Sequence, residues 1–327
     1  MPKFNVQPII QLMLLLSIMK LSHNAAHATR GQIIRKARFM TIPAVSFEFF
    51  PPQSLEASFR LWDTVQVLAP LNPRFVSVTY GAGGTTRDLT REAALTLHKS
   101  SGLNVAAHLT CVEATRAETL AIADGFAEAG VRDIVALRGD PPKGSDGFRA
   151  NPDGFANSVE LISALAETGQ FNIRVGAYPD THPEAANGQA DVDWLKAKLD
   201  AGATEALTQF FFEAETFFRF RDACEKAGID APITPGILPI ENWKGARNFA
   251  RRCGTHIPAW VEDAFEKAQR DGREELLATA ICAELCSDLI DGGVEQLHFY
   301  TLNRPELTRD VCHALGVTPR IDLQNVA

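Results

Sequence analysis

The side chains best suited to chemistry in this sequence lie at or near the ends of predicted strands. They are Glu48, Thr79, His108 with Thr110, Arg138 with Asp140, Tyr178 with His182, Gln209, and His298 with Tyr300. One buried polar residue is usually a satisfied hydrogen-bonding group, but repetition on at least six strands indicates a shared catalytic or binding face. The set contains acids and bases that could transfer protons. Its histidines lack the spacing of metal ligands, so we expect no metal site.

Eight short runs rich in β-branched and aromatic residues predict the strands that position these side chains. They cover residues 45–50, 75–80, 104–110, 133–139, 173–179, 206–212, 233–239 and 296–302. Segments of helical period lie between them, for example 117–130, 192–203 and 242–254, with two more helices near 258–271 and 274–291. Continuous apolar strands joined by helices predict a single-domain (β/α)₈ TIM barrel rather than a doubly wound open sheet.

Composition and charge restrict the class of protein. The chain has 327 residues, of which 46% are hydrophobic and 22% charged, as in ordinary globular proteins. Its formal net charge is −8, so no basic surface is expected for nucleic acid or for an anionic membrane. The six cysteines are scattered without a C-x-x-C pair, which favours buried free thiols and a reducing, cytoplasmic location. Small-molecule chemistry is therefore the leading class of function.

Residues 1–39 differ in composition from the rest of the chain. They contain six basic residues and no acidic residue, whereas the remaining chain has 26 basic and 40 acidic residues and a net charge of −14. The apolar run at 9–19 is short for a membrane span, and a signal peptide is one interpretation. We favour the interpretation that the start codon has been assigned too far upstream and that translation begins at Met40. The predicted organisation is an N-terminal extension over 1–39, a catalytic barrel over 40–320 and a tail over 321–327.

Two glycine-rich loops do not match nucleotide-binding motifs. GAGG at 81–84 follows a strand, but Thr86 occupies the position of the last glycine of the dinucleotide fingerprint. RGDPPKG at 138–144 lacks the G-K-[ST] ending of a P-loop. Neither loop therefore identifies a separate nucleotide-binding domain.

Eight segments resemble, in order, the barrel of methylenetetrahydrofolate reductases. They are SFEFFPP (46–52), FVSVTYGAGGTTRD (75–88), HLTC (108–111), IVALRGDPP (134–142), AYPDTHPEA (177–185), TQFFF (208–212), PGILPI (235–240) and HFYTLNR (298–304). The resemblance extends from residue 45 to about residue 318 and is to the short bacterial form, which has no C-terminal regulatory domain.

The resemblance implies an FAD-dependent enzyme. In this family NAD(P)H reduces the flavin and leaves, and 5,10-methylenetetrahydrofolate then takes its place and is reduced to 5-methyltetrahydrofolate, which supplies methyl groups for methionine synthesis. It also implies a homo-oligomer. The alternatives are a flavin- or folate-binding paralogue without turnover and another FAD barrel dehydrogenase, such as proline dehydrogenase.

Glu48 matches the family's general acid, which protonates the leaving nitrogen when the folate's imidazolidine ring opens. A carboxyl group placed among Phe47, Phe49 and Phe50 would be desolvated, and we therefore expect its pKa to be raised. The competing interpretation is a carboxylate paired with a neighbouring base.

The resemblance assigns the remaining site residues. Asp140 is implied to lie near the flavin's pyrimidine edge and the pterin, and Arg138 to offset flavin or phosphate charge or to pair with Asp140. The implied cofactor-binding residues are Thr79, Tyr80, His108, Arg138, Gly139, Asp140, Phe155, Ala156, Tyr178, His182, Ala185, Asp191 and Lys198. The implied substrate-binding residues are Glu48, Asp140, Gln209, Phe249 and Arg304. Asp191 and Lys198 could instead be solvated helix charges, and Phe249 could be a core residue.

Three positions depart from the family pattern. Phe155 occurs in place of a tyrosine, Gly245 in place of a glutamine, and Trp194 in place of an asparagine near the cofactor. These departures affect the expected contacts with cofactor and substrate rather than the expected reaction.

Overall fold

The computed structural model of this chain describes residues 42–319 except Lys143, Asp146 and the side chain of Ala82. The extension predicted over 1–39 and the tail predicted over 321–327 lie outside the described residues. Within them, no helix is long and apolar enough to cross a membrane.

Nine parallel strands form the wall of a barrel. They are β1 (Ala44–Phe49), β2 (Val76–Val78), β3 (Val105–Thr110), β4 (Asp133–Leu137), β5 (Asn172–Ala177), β6 (Glu205–Thr208), β7 (Ile233–Thr234), β8 (Gly236–Ile237) and β9 (Gln296–Tyr300). Their order in the sheet is β7-β6-β5-β4-β3-β2-β1-β9-β8. The predicted (β/α)₈ barrel in a single domain is confirmed.

The seventh predicted strand is divided into β7 and β8. Pro235 separates them and has no N–H to donate to a neighbouring strand. The residues before it pair with β6 and the residues after it pair with β9. The barrel therefore closes through this interrupted strand.

Ten α-helices surround the sheet in the described residues. They are α1 (Leu55–Leu68), α2 (Arg87–Ser101), α3 (Arg116–Glu128), α4 (Ser158–Glu167), α5 (Gly188–Asp200), α6 (Ala214–Lys226), α7 (Trp243–Cys253), α8 (Ala259–Asp271), α9 (Glu274–Asp291) and α10 (Pro305–Ala314). Side chains cap several of them, as in the capping box of α3 between Thr115 and Glu118. The helices predicted near 258–271 and 274–291 are α8 and α9.

Most strands end earlier than predicted. β6 ends at Thr208 although the apolar run continues to Phe212. The ring of Phe210 stacks on Phe249 of α7, with ring centroids 5.2 Å apart. The apolar character of this run therefore reflects packing in the loop beyond the strand, because a buried loop residue needs the same side-chain type as a buried strand residue.

Alternation along each strand separates the outer core from the barrel interior. On β1, Phe47 and Phe49 belong to the large apolar core under the helices. Phe75, Ala106, Val135 and Leu207 form a separate small cluster. We assign this cluster to the barrel interior, because layers of side chains from alternate strands fill such barrels. The polar partners of Glu48 lie on this same inner side.

Below this cluster, the amino-terminal ends of the strands contribute a buried ionic network. Arg174 forms ion pairs with Asp133 and with Glu205, the latter at 2.9 Å, and its guanidinium lies 4.0 Å from the centre of the Phe75 ring. Arg74 contacts Glu205 from the other side at 3.0 Å. Burial raises the pKa of Glu205, but hydrogen bonds and the two arginine charges outweigh burial and hold the pKa below its usual value. The network occupies the end of the barrel formed by the amino-terminal ends of the strands. We therefore expect the active site at the opposite end, where the strands have their carboxyl ends.

Candidate active site

Three strands bring one carboxylate and two imidazoles together inside the barrel. Glu48 comes from β1, His108 from β3 and His298 from β9. His108 Nε2 lies 3.3 Å from Glu48 Oε2, and His298 Nε2 lies 3.8 Å from the same oxygen. Both Nε2 atoms are buried, and neither makes a well-aligned hydrogen bond with a described residue. The two rings therefore face the carboxylate at a distance short enough for charge interaction and proton transfer. We call Glu48, His108 and His298 the Glu48 cluster.

The ring of His298 is held in a fixed orientation. Ser46 Oγ lies 2.8 Å from its Nδ1 atom, and the ring stacks on Phe75 with centroids 5.5 Å apart. Because one ring nitrogen faces Ser46, the other is directed toward Glu48. Tyr300, two residues further along β9, contacts the same ring edge-on at 5.3 Å.

The predicted rise in the pKa of Glu48 is wrong. Burial, the largest single influence, raises the pKa, but His108 and His298 together outweigh burial and lower the pKa to about 2. The reason is geometric: the phenylalanines before and after Glu48 point to the outer core, and Phe50 is 44% exposed. Glu48 is thus a carboxylate paired with neighbouring bases, which is the competing interpretation of the sequence. Its pairing does not remove protons from the site, because the cluster as a whole can hold one.

Next to this cluster, a cavity of about 630 Å³ opens above the ends of β4 and β5. Most of the residues predicted to bind the cofactor line it. They are Tyr80, Arg138, Gly139, Asp140, Ala156, Tyr178, His182, Ala185, Asp191 and Lys198, together with Gln209 from the predicted substrate set. The structure thus brings residues from five strands and their following loops into one cavity.

The other predicted site residues lie outside the lining of this cavity. Thr79 is half-buried after β2, where its N–H donates to Phe49 O. Phe155 is buried, and Arg116 covers its ring at 4.5 Å. Arg304 is exposed at the start of α10, and Phe249 is half-buried on α7. Phe249 and Arg304 therefore approach the barrel mouth from the side of β8 and β9.

Arg138 pairs with Glu184 rather than with Asp140. Its Nη2 atom lies 3.1 Å from Glu184 Oε1, and its guanidinium lies over the ring of Phe148 at 4.8 Å. The hydrogen bond to Glu184 is the main reason that the pKa of Arg138 is raised. Glu184 and Phe148 both line the cavity and were not predicted. Glu184 could have been considered as one of two acidic residues, with Asp180, in the loop after the fifth strand, whereas nothing in the sequence marks Phe148.

Lys198 is a buried cation in the wall of the cavity. Its Nζ atom donates to Gly176 O at 2.8 Å and lies 6.0 Å from the centre of the Tyr178 ring. No carboxylate of the described residues forms an ion pair with it, although Asp191 lies close enough to raise its pKa. Burial dominates and lowers the pKa of Lys198 to about 8. The interpretation of Lys198 as a solvated helix charge is therefore wrong.

Asp191 organises the loop after β5. Its Oδ2 atom accepts the N–H of His182 at 3.0 Å, and the His182 ring contacts Tyr178 edge-on at 4.6 Å. Burial raises the pKa of Asp191. The carboxylate therefore supports one wall of the cavity and does not simply project into solvent.

Gly139 makes the turn that places Asp140 at the cavity. Its φ is +87°, and a Cβ atom there would lie 2.9 Å from side-chain carbons of Thr110 and Val112. Only glycine fits this backbone without displacing the neighbouring loop. The segment LRGD thus combines a strand end, a left-handed turn and an exposed carboxylate.

Comparison with known proteins agrees with this architecture. The family model for methylenetetrahydrofolate reductase matches residues 32–316. The 5,10-methylenetetrahydrofolate reductases of Salmonella typhimurium and of Escherichia coli K12 are each 46% identical over 276 residues, covering 84% of this chain and 91% of theirs. Methylenetetrahydrofolate reductase (NADH) 1 of Arabidopsis thaliana is 36% identical over 287 residues, covering 84% of this chain and 48% of the plant protein.

A solved structure shares the fold at low sequence identity. It is an uncharacterised protein from Clostridium thermocellum that binds two copies of 5-methyl-5,6,7,8-tetrahydrofolic acid, with a TM-score of 0.53 and 13% identity, covering 85% of this chain and 96% of that one. On the family match and the bacterial identities, this chain belongs to the methylenetetrahydrofolate reductase family.

Proposed function

We propose that this protein reduces 5,10-methylenetetrahydrofolate to 5-methyltetrahydrofolate, with FAD as cofactor and NAD(P)H as electron donor. Membership of the family and the names of its bacterial relatives support the substrate and the reaction. The product would supply methyl groups for methionine synthesis. A cytoplasmic location and a homo-oligomeric state belong to the same proposal; the six free cysteines fit a reducing compartment.

The cavity has the chemistry that FAD requires. Lys198 offers a buried positive charge to a phosphate, and burying such a charge without an anionic partner is otherwise costly. Tyr178 and Tyr80 offer aromatic surface, and Asp140 offers an acceptor for ring N–H groups. Bound FAD would supply a redox centre that accepts hydride from the nicotinamide and passes it to the folate. The residues of the chain hold and orient the reactants.

The observation that carries the proposal is the Glu48 cluster beside this cavity. Opening the folate ring needs a proton at the leaving nitrogen, and the cluster provides a carboxyl group with two imidazoles within 3.8 Å. We propose that the cluster holds this proton and that Glu48 delivers it, since coupled groups of this kind titrate as a unit. A protein that only bound flavin or folate would not need such an acid.

Phe249 and Arg304 are proposed to contact the folate. The ring of Phe249 stacks on Phe210, and the guanidinium of Arg252 lies 5.7 Å from its centre. We propose that the part of this ring that remains exposed contacts the planar substrate. Gln209, directly after β6, lines the cavity together with Asp140. The folate would thus lie between the cofactor and α7, within reach of Glu48.

Anaerobic mixing tests the proposal. The purified full chain should show flavin absorbance, NADH or NADPH should bleach it, and subsequent 5,10-methylenetetrahydrofolate should restore it with formation of 5-methyltetrahydrofolate. A colourless protein, or a flavin that folate does not reoxidise, would contradict the proposal. Comparing the two nucleotides in the first step also determines the electron donor.

FAD affinity should depend on pH through Lys198. The pKa of this amine in the free protein is about 8, so the amine carries its charge below pH 8 and loses it above. A phosphate binds the charged form, so affinity should be constant below pH 8 and fall by up to about tenfold per pH unit above it. Flavin titrations of the flavin-depleted protein between pH 7 and pH 10 measure this. Lys198→Met should bind FAD weakly at every pH; if it keeps the wild-type pH profile, Lys198 is not the group responsible.

Replacing Asp140 with asparagine should slow the two half-reactions unequally. The negative charge of Asp140 disfavours additional negative charge on a neighbouring ring, so it promotes release of hydride to the folate. Asp140→Asn should therefore slow folate reduction by about tenfold and leave flavin reduction by NADH nearly unchanged or faster. A single charge interaction of about 1.4 kcal/mol, if lost from the transition state, corresponds to a tenfold lower rate. Stopped-flow absorbance of each half-reaction provides the measurement. Equal slowing of both would count against this role.

A further inference from the structure

The cavity has an aromatic side chain at its outer end that the proposed reaction does not use. Trp194 lies on α5 and lines the cavity, yet it is 45% exposed. Five other large apolar side chains in the described residues are comparably exposed, and none of them lines this cavity. Among the described residues, no ring or cation stacks on Trp194. An indole face that borders a cavity without a protein partner is a typical surface for a planar ligand group.

Helical spacing places Trp194 one turn from the buried cation. Asp191, Trp194 and Lys198 are separated by three and four residues, so they share one face of α5, and all three line the cavity. Ala190, also on this face, and Ala186 in the preceding loop are small and leave the indole accessible from the cavity. A phosphate held at Lys198 would therefore have the indole within about one helical turn, or about 5.4 Å along the helix axis.

The two ends of the cavity differ in chemistry. Tyr80, Thr110, Asp140 and Gln209 lie at or just after the ends of β2, β3, β4 and β6; β3 carries His108 of the Glu48 cluster, and we take the part of the cavity over these strand ends as its inner part. The redox ring must occupy this inner part, because hydride transfer requires contact with a folate that Glu48 can also reach. The outer part, between α5 and the start of α4 at Asn157 and Ser158, remains for the rest of the cofactor.

We infer that Trp194 binds the adenine ring of FAD by stacking, and that it makes this protein selective for FAD over FMN. This inference rests on the proposed function, because it assigns one part of the proposed cofactor to one part of the cavity. Lys198 neutralises the phosphates, and the indole holds the base beyond them. FMN lacks the adenosine half and makes no contact with Trp194.

Flavin binding to two variants tests the inference. The flavin-depleted full chain, its Trp194→Ala variant and its Trp194→Phe variant are titrated with FAD and with FMN, following flavin fluorescence. Trp194→Ala should weaken FAD binding by about tenfold to a hundredfold, because losing the stacking of one base on an aromatic side chain lowers affinity by about this factor. FMN binding should stay within about twofold of the wild-type affinity. Trp194→Phe retains an aromatic ring and should therefore lose less FAD affinity than Trp194→Ala. Trp62→Ala is the matched control, because Trp62 is 38% exposed on α1, outside the cavity.

The outcomes separate the inference from the proposed function. Unchanged FAD affinity in Trp194→Ala, or equal weakening of FAD and FMN, overturns the role of Trp194 and leaves the proposed function intact. A raised KM for NADH with unchanged FAD affinity also overturns it, since the indole would then serve the nicotinamide nucleotide. A wild-type chain that binds no FAD overturns the proposed function and this inference together. Thermal melts of the variants confirm that any loss of FAD is not a loss of fold.

Discussion

Replacing Glu48 with glutamine should slow folate reduction by about 10²–10⁴-fold, the usual contribution of a positioned general acid. The amide keeps the size of the side chain but cannot deliver a proton to the leaving nitrogen. Hydride transfer from NADH to the flavin needs no acid, so flavin bleaching should proceed at nearly the wild-type rate. Stopped-flow absorbance of the two half-reactions, measured separately, gives both rates.

Two further measurements make this test specific to the Glu48 cluster. Glu225→Gln removes an exposed carboxylate on α6 and should leave both half-reactions unchanged. A thermal melt of Glu48→Gln shows whether loss of the carboxylate facing His108 and His298 unfolds the protein instead. Near-normal folate reduction by a folded Glu48→Gln protein would end the assignment of Glu48 as the acid. A parallel fall in both half-reactions would indicate loss of flavin rather than loss of a proton donor.

Replacing Arg174 with methionine should lower the free energy of unfolding by about 3–5 kcal/mol, because it leaves buried carboxylates without their partner. Arg174 is 7% exposed and pairs with both Asp133 and Glu205. Arg74→Met is the control: Arg74 is more exposed, and its loss leaves Glu205 paired with Arg174, so its cost should stay below about 1 kcal/mol. Urea unfolding monitored by circular dichroism gives the free energies of unfolding of the wild-type protein, Arg174→Met and Arg74→Met.

The charge balance of this network provides a second check. A triple variant carrying Arg174→Met, Asp133→Asn and Glu205→Gln removes the charges together, and it should recover part of the stability lost in Arg174→Met. Because the pKa of Glu205 is lowered in the folded protein, its contribution is present at neutral pH and decreases as the pH falls through the acidic range. An Arg174→Met protein as stable as Arg74→Met would show that the network is not what supports this end of the barrel.

The two ends of the barrel divide stability from chemistry. At the amino-terminal ends of the strands, Arg174 satisfies two carboxylates by direct ion pairs. At the carboxyl ends, Lys198 is a buried cation without an ion pair among the described residues, and Glu48 faces imidazoles whose Nε2 atoms make no aligned hydrogen bond. Incomplete pairing is costly in a folded protein, and it occurs here where a ligand could complete it.

The order of the strands and the rim of polar residues could be predicted from the sequence alone. Parallel strands in a barrel all end on one face, so any residue just after an apolar run must lie near that face. Asp140 illustrates this, because LRGD marks both the end of β4 and the turn that follows. Sequence resemblance added the family, since ordered segments over most of the chain carry far more information than one motif.

The electrostatic state of the site was decided by the tertiary structure. Glu48 has phenylalanines on both sides in sequence, which predicts a desolvated acid with a raised pKa. In the folded chain those rings face the outer core, and Glu48 faces His108 and His298, which are 60 and 250 residues away along the chain. Their proximity lowers the pKa instead. Likewise, the pairing of Arg138 with Glu184 and the burial of Lys198 depend on how loops and helices close over the strand ends. Local sequence determines which side of a strand a residue occupies, but a pKa depends on through-space charge and solvent exclusion, and these exist only once distant segments have packed together.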